Sequence, residues 1–467
     1  MLYAYTVAQI REAEADAMAV LGQDALMQRA AAGLASVILR RLSHPYGSRV
    51  LLAVGSGNNG GDALFAGVRL ARRGVRVSAW RTGSGAHEAG WRAFLAAGGH
   101  VLDAAQALSE LPRQQCVVDG VAGLGSRPGL APDVAGFASA CRQHRVPVVA
   151  VDLPSGLPPE PPFGDEPRFT AQVTVTFGGY KPCQLMEPAR SECGELELVD
   201  LGLELVEPAL AQWEVADLAA AWPVPDARSD KYSRGVVGLD TGSVDYPGAA
   251  VLTAAGAVGV GAGMVRYLGA PPVAARILDR FPNVVAGQGR VQALVLGSGW
   301  GDRRDRGVIG RAVEAGVPLV VDADGLRHLP EKGHRGVLLT PHAGELARLI
   351  DVERAAVEAD PLAAVRTAVA ATGCTVLLKG ATQYVASPGE NRIWLGVQGP
   401  GWTAQAGSGD VLAGACGALM AAGLTPVEAA LAATSVQALA ATRMPGPLPP
   451  QDAALRFRRV IRELAQN

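Results

Sequence analysis

Charge is scarce in this chain of 467 residues. Asp, Glu, Lys and Arg make up 18%, the formal net charge is −2, and no basic block occurs. That balance excludes a surface built to hold nucleic acid. The opening MLYAYTVAQIREAEADAM has neither the basic start nor the apolar core of a secretory signal. The most apolar stretch, AAVLTAAGAVGVGAGMV (249–265), is dense in glycine and too short for a membrane span. The six cysteines, Cys116, Cys141, Cys183, Cys193, Cys374 and Cys416, include no C-x-x-C pair. Reduced thiols in a cytoplasmic protein are therefore expected, with no disulfide framework, no nucleic-acid partner and no membrane.

Apolar residues and glycine are plentiful: hydrophobic residues make up 49%, and 58 residues are glycine. The length predicts two or three domains. RVLLAV (49–54), VRVSAW (75–80), CVVDGV (116–121), PVVAVDL (147–153) and QVTVTF (172–177) read as buried strands separated by helical patterns such as LFAGVRLARRG. That alternation predicts an α/β fold with a parallel sheet and helices on both faces. The pattern lapses around 205–230, in a polar stretch with prolines, and resumes with VVGLDTG, QALVLGSG, VPLVVDADG, GVLLTP and TVLLKG. Two different three-layer α/β/α domains are expected, 1–212 and 225–467, the first Rossmann-like.

Gly55 to Asp62 read GSGNNGGD, between a predicted strand and a predicted helix. Gly55, Gly57 and Gly60 satisfy G-x-G-x-x-G, but Asn58, Asn59 and Asp62 add side chains where a dinucleotide loop offers little besides backbone. A dinucleotide fold also wants a carboxylate at the end of the second strand, where Trp80-Arg81 stands. Arg81 leaves an NADP dehydrogenase as the weaker reading, and a plain tight turn as the bland one. Three further segments, VVDGVAGLGSRPGL (117–130), VDLPSG (151–156) and GGYKP (178–182), place polar residues at strand ends along the same sheet edge. A lone Asp119 or Asp152 would more often cap or turn. Both together, with Asn59 and Ser155, predict an oxygen-rich pocket for a monovalent cation or a polar ligand.

These segments, in this order, resemble the NAD(P)H-hydrate epimerase domain over roughly the first 210 residues. The resemblance implies that Asn58, Asn59, Gly60, Gly61 and Asp62 hold the hydrated nucleotide. It gives the same role to Gly123, Leu124, Gly125, Ser126, Arg127, Pro128 and Gly129, and to Asp152. It implies that Asn59, Asp119 and Ser155 bind potassium, and it matches Lys181 to a lysine near the final strand. Asp119 and Asp152 are both left open as the proton shuttle. Ala63 departs from the family, which usually has a glycine there.

In the second half, AGSGD (406–410) precedes the helical VLAGACGALMAAG. Glycines at a helix N-terminus, with Asp410 beside them, suit an anion facing a proton acceptor. A helix cap is the commoner fate of such an aspartate. The motif resembles the ribokinase-like fold, in which it supplies the catalytic base. KYSRG, YPGAA, GVGAGMVR, LGSGWG, DADGL, LTPHAGE and LKGATQ extend the resemblance to the ADP- or ATP-dependent NAD(P)H-hydrate dehydratases over roughly 225–460. It implies that Lys379, Gly380, Ala381, Thr382, Gln383 and Gly409 hold ADP or ATP, with magnesium. Ala249, Gly299, His342 and Asp410 would face the hydrated nicotinamide nucleotide. Ala343 and Trp402-Thr403 depart from the family's usual proline and Gly-Met.

The combined reading is a bifunctional repair enzyme that epimerises NADHX and NADPHX and dehydrates the S form. Its expected partners are those small molecules and, in a homo-oligomer, copies of itself. The rival readings are a ribokinase-like small-molecule kinase fused to a nucleotide-binding module, and a first domain that binds without catalysing.

Overall fold

A computed structural model describes residues 1–125, 127–301, 307–330, 335–444 and 446–466. The chain divides into two compact units, Tyr3–Ala209 and Leu210–Asn467, with Met1–Leu2 counted in the second. The first unit ends at Ala209, three residues before the expected boundary at 212. Leu210–Gln212 is a strand, and it pairs in parallel with Ile393–Leu395 of the second sheet. Helix Val215–Ala221 follows it, so the predicted linker stretch contains a strand and a short helix.

The first unit is built on seven strands in the order His100–Leu102, Arg76–Arg81, Arg49–Val54, Cys116–Gly120, Val148–Val151, Val173–Phe177, Glu195–Val199, each pair parallel. Both faces of strand Arg49–Val54 are apolar because both are covered. Val50, Leu52 and Val54 pack on one side with the helices Gln23–Arg41, Asn58–Ala71 and Glu88–Ala96. Leu51 and Ala53 pack on the other with helix Pro132–Gln143.

The second sheet runs Leu210–Gln212, Ile393–Leu395, Tyr384–Ala386, Thr375–Leu378, Val337–Leu339, Leu319–Val321, Ala293–Leu296, Val236–Asp240, Met264–Tyr267, Val285–Ala286. It is mixed rather than wholly parallel: the three strands from Thr375 to Leu395 form an antiparallel meander. Among the described residues no helix is long and apolar enough to cross a membrane. The apolar stretch 249–265 is spent on helix Pro247–Gly259 and strand Met264–Tyr267.

That helix crosses helix Ser408–Ala421 at two reciprocal glycines. A Cβ on Gly256 would stand 1.9 Å from the carbonyl oxygen of Val411, and one on Gly414 would stand 1.9 Å from that of Thr253. No side chain fits, so the backbones themselves are in contact. Gly414→Ala is expected to destabilise the second unit by about 1–3 kcal/mol through overpacking. Chemical denaturation checks this; an unchanged midpoint would show that the crossing has slack.

Candidate functional site

Parallel strands end together, so the loops that follow them share one edge of the sheet. In the first unit, helix Asn58–Ala71 begins at Asn58, so the expected NNGGD loop is in fact the first helical turn. Glycine there is required by contact rather than by loop geometry: a Cβ on Gly60 would stand 2.1 Å from the carbonyl oxygen of Gly55. Ala63, at the family's usual glycine, packs against Gly120, whose own Cβ would stand 2.7 Å away. Asn59 is thereby turned toward the neighbouring strand ends. Its Nδ2 donates to the carbonyls of Val151 (2.6 Å) and Ala122 (3.1 Å).

Asp119 and Ser155 are both fully buried and bonded to each other. Asp119 accepts from the Ser155 amide (2.7 Å) and hydroxyl (2.6 Å), and the hydroxyl also accepts from the Ala122 amide (2.9 Å). Burial pushes the Asp119 carboxyl up to about 6, against the pull of the Ser155 bonds. Asp119, Ser155 and Asn59 thus come together around Ala122, as the sequence predicts. Of the two candidate proton shuttles, Asp152 lines the neighbouring cavity and Asp119 does not.

That cavity, of 380 Å³, is bordered by Asn58, Asn59, Asp62, Gly123, Leu124, Gly125 and Asp152. Arg127, Pro128 and Gly129 lie outside it. The Gly129 amide instead donates to the carbonyl of Gly156, because the loop folds back on the VDLPSG turn. Ser126 lies outside the described residues. Gly60 and Gly61 are buried in the helical turn beneath. Asp152 adopts a left-handed backbone, φ 69°, and forms a buried ion pair with Lys181. The Lys181 ammonium also donates to Thr176 Oγ1 (2.9 Å) and the Phe177 carbonyl (3.1 Å). Lys181 is thus a buried anchor for Asp152. Sequence reading missed Arg11 and Glu14, which border the same cavity from helix Val7–Leu21. Nothing in REAEADAM separates them from an ordinary charged helix face.

The second unit repeats the arrangement. Helix Ser408–Ala421 starts after Gly407, at φ 91°, so Gly409 and Asp410 belong to its first turn. The Lys379 ammonium comes within 3.1 Å of where a Gly409 Cβ would be, so a side chain there would crowd the lysine. It forms an ion pair with Asp322 Oδ1 (2.7 Å). Asp322 also accepts from Thr340 (2.8 Å) and Ser298 (2.9 Å), and Ser298 is at the same time a partner of Asp410. Burial disfavours the Lys379 charge, but Asp322, Glu345 and Asp410 outweigh it and raise its pKa. Burial, then the Asp322 charge, push Asp410 up to about 7, with Lys379 opposing.

Asp322 is 2% exposed and central, yet sequence reading assigned it no role. The signal was present: it follows the apolar VPLVV as Asp119 follows QCVV. Ala249 and Gly299 lie together, with a Cβ on Gly299 only 2.5 Å from that of Ala249. Gly299 borders an 870 Å³ cavity with Asp240, Tyr246 and Trp300. His342 is not among its lining residues. It caps helix Ala343–Leu349, its Nδ1 accepting from the amides of Gly344 (3.0 Å) and Glu345 (3.2 Å), with the side chain half exposed. Gly380 to Gln383 form the turn of the antiparallel hairpin beside Lys379, with Gln383 Nε2 donating to Gly380 O (2.8 Å). Another cavity of 880 Å³, between Trp222, Phe281 and Arg458, touches none of these residues.

The profile of a family described as NAD(P)H-hydrate dehydratase matches residues 237–451, and one described as the N-terminus of YjeF-related proteins matches 23–183. The second unit has the fold of a Bacillus subtilis ADP/ATP-dependent NAD(P)H-hydrate dehydratase, with TM-score 0.50 and 24% identity over 54% of this chain and 98% of that one. Among curated relatives, the bifunctional NAD(P)H-hydrate repair enzyme Nnr of Mycobacterium leprae is 42% identical, covering 96% of each chain. That of Escherichia coli K12 is 31% identical, covering 91% of this chain and 86% of its own. The chain belongs to the family of bifunctional NAD(P)H-hydrate repair enzymes.

Proposed function

We propose that the chain repairs hydrated nicotinamide nucleotides in two steps. The first unit interconverts the R and S forms of NADHX and NADPHX. The second unit dehydrates the S form at the expense of ADP or ATP. The observation that carries the reading is Asp410, held on a helix N-terminus beside Lys379 with a carboxyl near 7. Hydration leaves a hydroxyl on C6 of the nicotinamide ring, and hydroxide is a poor leaving group. Transfer of the nucleotide's terminal phosphoryl to that oxygen, with Asp410 accepting its proton, makes the leaving group phosphate. Its departure with loss of the C5 proton restores the double bond.

Lys379 and the free amides of the helix N-terminus supply positive potential where phosphoryl oxygens gather. Gly380, Ala381, Thr382 and Gln383 would flank the nucleotide, with Ala249 and Gly299 toward the hydrate. Exposed His342 would meet the hydrate only at the rim. Among the described residues no three ligand-type side chains converge into a cage, so magnesium would be held mainly by the nucleotide's phosphates and water. When bound, it would neutralise phosphoryl charge. The Bacillus subtilis dehydratase was co-crystallised with ATP and magnesium, which supports this choice.

In the first unit, Asn58, Asn59, Asp62, Gly123, Leu124, Gly125 and Asp152 would hold the hydrate. The ring nitrogen can expel the 6-hydroxyl and let water return on either face, so no nucleotide is needed there. Potassium fits the Asp119 site on one observation: a fully buried carboxylate with no ion-pair partner among the described residues, surrounded by Ser155 Oγ, carbonyls and the Asn59 amide. When bound, potassium would supply the missing countercharge. Asp119 is then a ligand rather than a proton shuttle.

Three outcomes test these assignments. Asp410→Asn keeps the side chain's size but removes the proton acceptor, so dehydration should fall by about 10²–10⁴ while ADP or ATP still binds and epimerisation continues. A folded variant that dehydrates at the wild-type rate overturns the base. In Asp322→Asn the Asp410 carboxyl loses a repelling negative charge, so its pKa falls. Asp410 acts in its deprotonated form, so the acidic limb of kcat/KM, near 7 in the parent, should move to lower pH. Finally, replacing potassium with choline should lower the Tm of the first unit in the parent but not in Asp119→Asn. An equal Tm in both salts counts against a potassium site.

A further inference from the structure

Three carboxylates border the cavity of the first unit: Glu14, Asp62 and Asp152. Asp152 is already committed, its Oδ1 taking Lys181, Thr176 Oγ1 (3.3 Å) and the Phe177 amide (3.3 Å). Asp62 is only 7% exposed, and among the described residues it accepts no hydrogen bond and has no ion-pair partner. What remains of its surface faces the cavity. Glu14 reaches the same cavity from helix Val7–Leu21, one turn after Arg11, and it too has no hydrogen-bond or ion-pair partner among the described residues.

A carboxyl as buried as Asp62, with no donor, favours its neutral form, whereas Glu14 is only partly buried and has the positive charges of Lys181 and Arg11 to favour its ionised form. Burial raises Asp62 well above the carboxylate range, and the charges of Asp152 and Glu14 add to it. Glu14 is raised by burial and by Asp152, with Lys181 and Arg11 opposing. The charged and titratable groups around Asp62 are therefore Glu14 and Arg11 on the first helix, and Asp152 and Lys181 at the strand ends. His87 lies against Gly61 on the remaining side, 3.0 Å from its Cβ position.

We propose that Asp62 is the acid that protonates the departing 6-hydroxyl, and that Glu14 is the positioning residue that keeps it protonated. The inference rests on the epimerase reading above. The Asp62 carboxyl gives its proton to the 6-oxygen, the C6–O bond breaks, and water leaves. The nitrogen lone pair forms a C6–N double bond in its place. Water then adds to either face of C6, and its surplus proton returns to the Asp62 carboxylate. Nothing is oxidised or reduced, and the acid is regenerated.

The test uses the full-length chain and purified R form, with uncatalysed exchange subtracted and S-form dehydration measured on the same samples. Parent epimerisation should fall as pH rises, because the protonated carboxyl is lost. Asp62→Asn should slow it by about 10²-fold or more. Glu14→Gln removes a negative charge beside Asp62, which lowers its pKa, so the alkaline limb should move to lower pH. A merely structural Glu14 would change the rate without moving the limb. Epimerisation by Asp62→Asn at the parent rate, or an unmoved limb in Glu14→Gln, overturns the proposal. If Asp62→Asn fails to fold, the Glu14→Gln profile decides. A parent chain that dehydrates the S form but never exchanges R and S would instead overturn the epimerase reading.

Discussion

Backbone touching backbone is the constraint from which both sites follow. In the first unit Gly60 lies against the carbonyl of Gly55, and Gly55 in turn against that of Val121, where its Cβ would be 1.9 Å away. In the second, Gly256 and Gly414 let two helices close to the same distance. A methyl group on Gly60 would push the start of its helix away from the strand end at Gly55, and one on Gly256 or Gly414 would push their two helices apart. The chemistry depends on that proximity, since Asn59, Asp62 and Asp410 have short side chains and reach their sites only if the backbone that carries them lies close by. Conformational freedom is the lesser use of these glycines, because Gly60, Gly256 and Gly414 sit in ordinary helix.

Each unit also joins a lysine to one aspartate and leaves a second carboxyl unneutralised. Lys181 takes Asp152 and leaves Asp62; Lys379 takes Asp322 and leaves Asp410. Such pairs are poor sources of stability, since desolvation offsets most of the attraction. What they provide is a fixed field. A carboxyl buried beside such a pair is raised first by loss of water and then by the pair's negative member, so it holds a proton more readily than a solvated carboxyl does.

Most of the fold was legible because buried parallel strands are written as apolar runs, and their ends as small or polar residues. Asp119, Asp152, Ser155 and Asp410 stood out for that reason. Asp322 obeys the same rule, but within DADGL the sequence marks only a family motif and no role for this carboxylate. The glycine-rich stretches at Asn58 and Ser408 read as loops, although tertiary contact makes them helix and overrides propensity. Glu14 and Arg11 could not be found from sequence: a charged residue on an amphipathic helix gives no sign of which cavity the helix lies beside. His342 is a motif position whose Nδ1 accepts from backbone amides and caps the helix, a use that the motif alone does not reveal.

The strand Leu210–Gln212 has a practical consequence for anyone dividing the chain. It lies alongside Ile393–Leu395 with all three of its residues buried. A fragment begun beyond Gln212 would leave Ile393–Leu395 as an uncovered margin, with a row of unsatisfied amides and carbonyls and the apolar Ile393 and Leu395 beside them. Margins of that kind recruit strands from other molecules. Insolubility of such a fragment would report the place of the cut, and would say nothing about whether the second unit folds by itself.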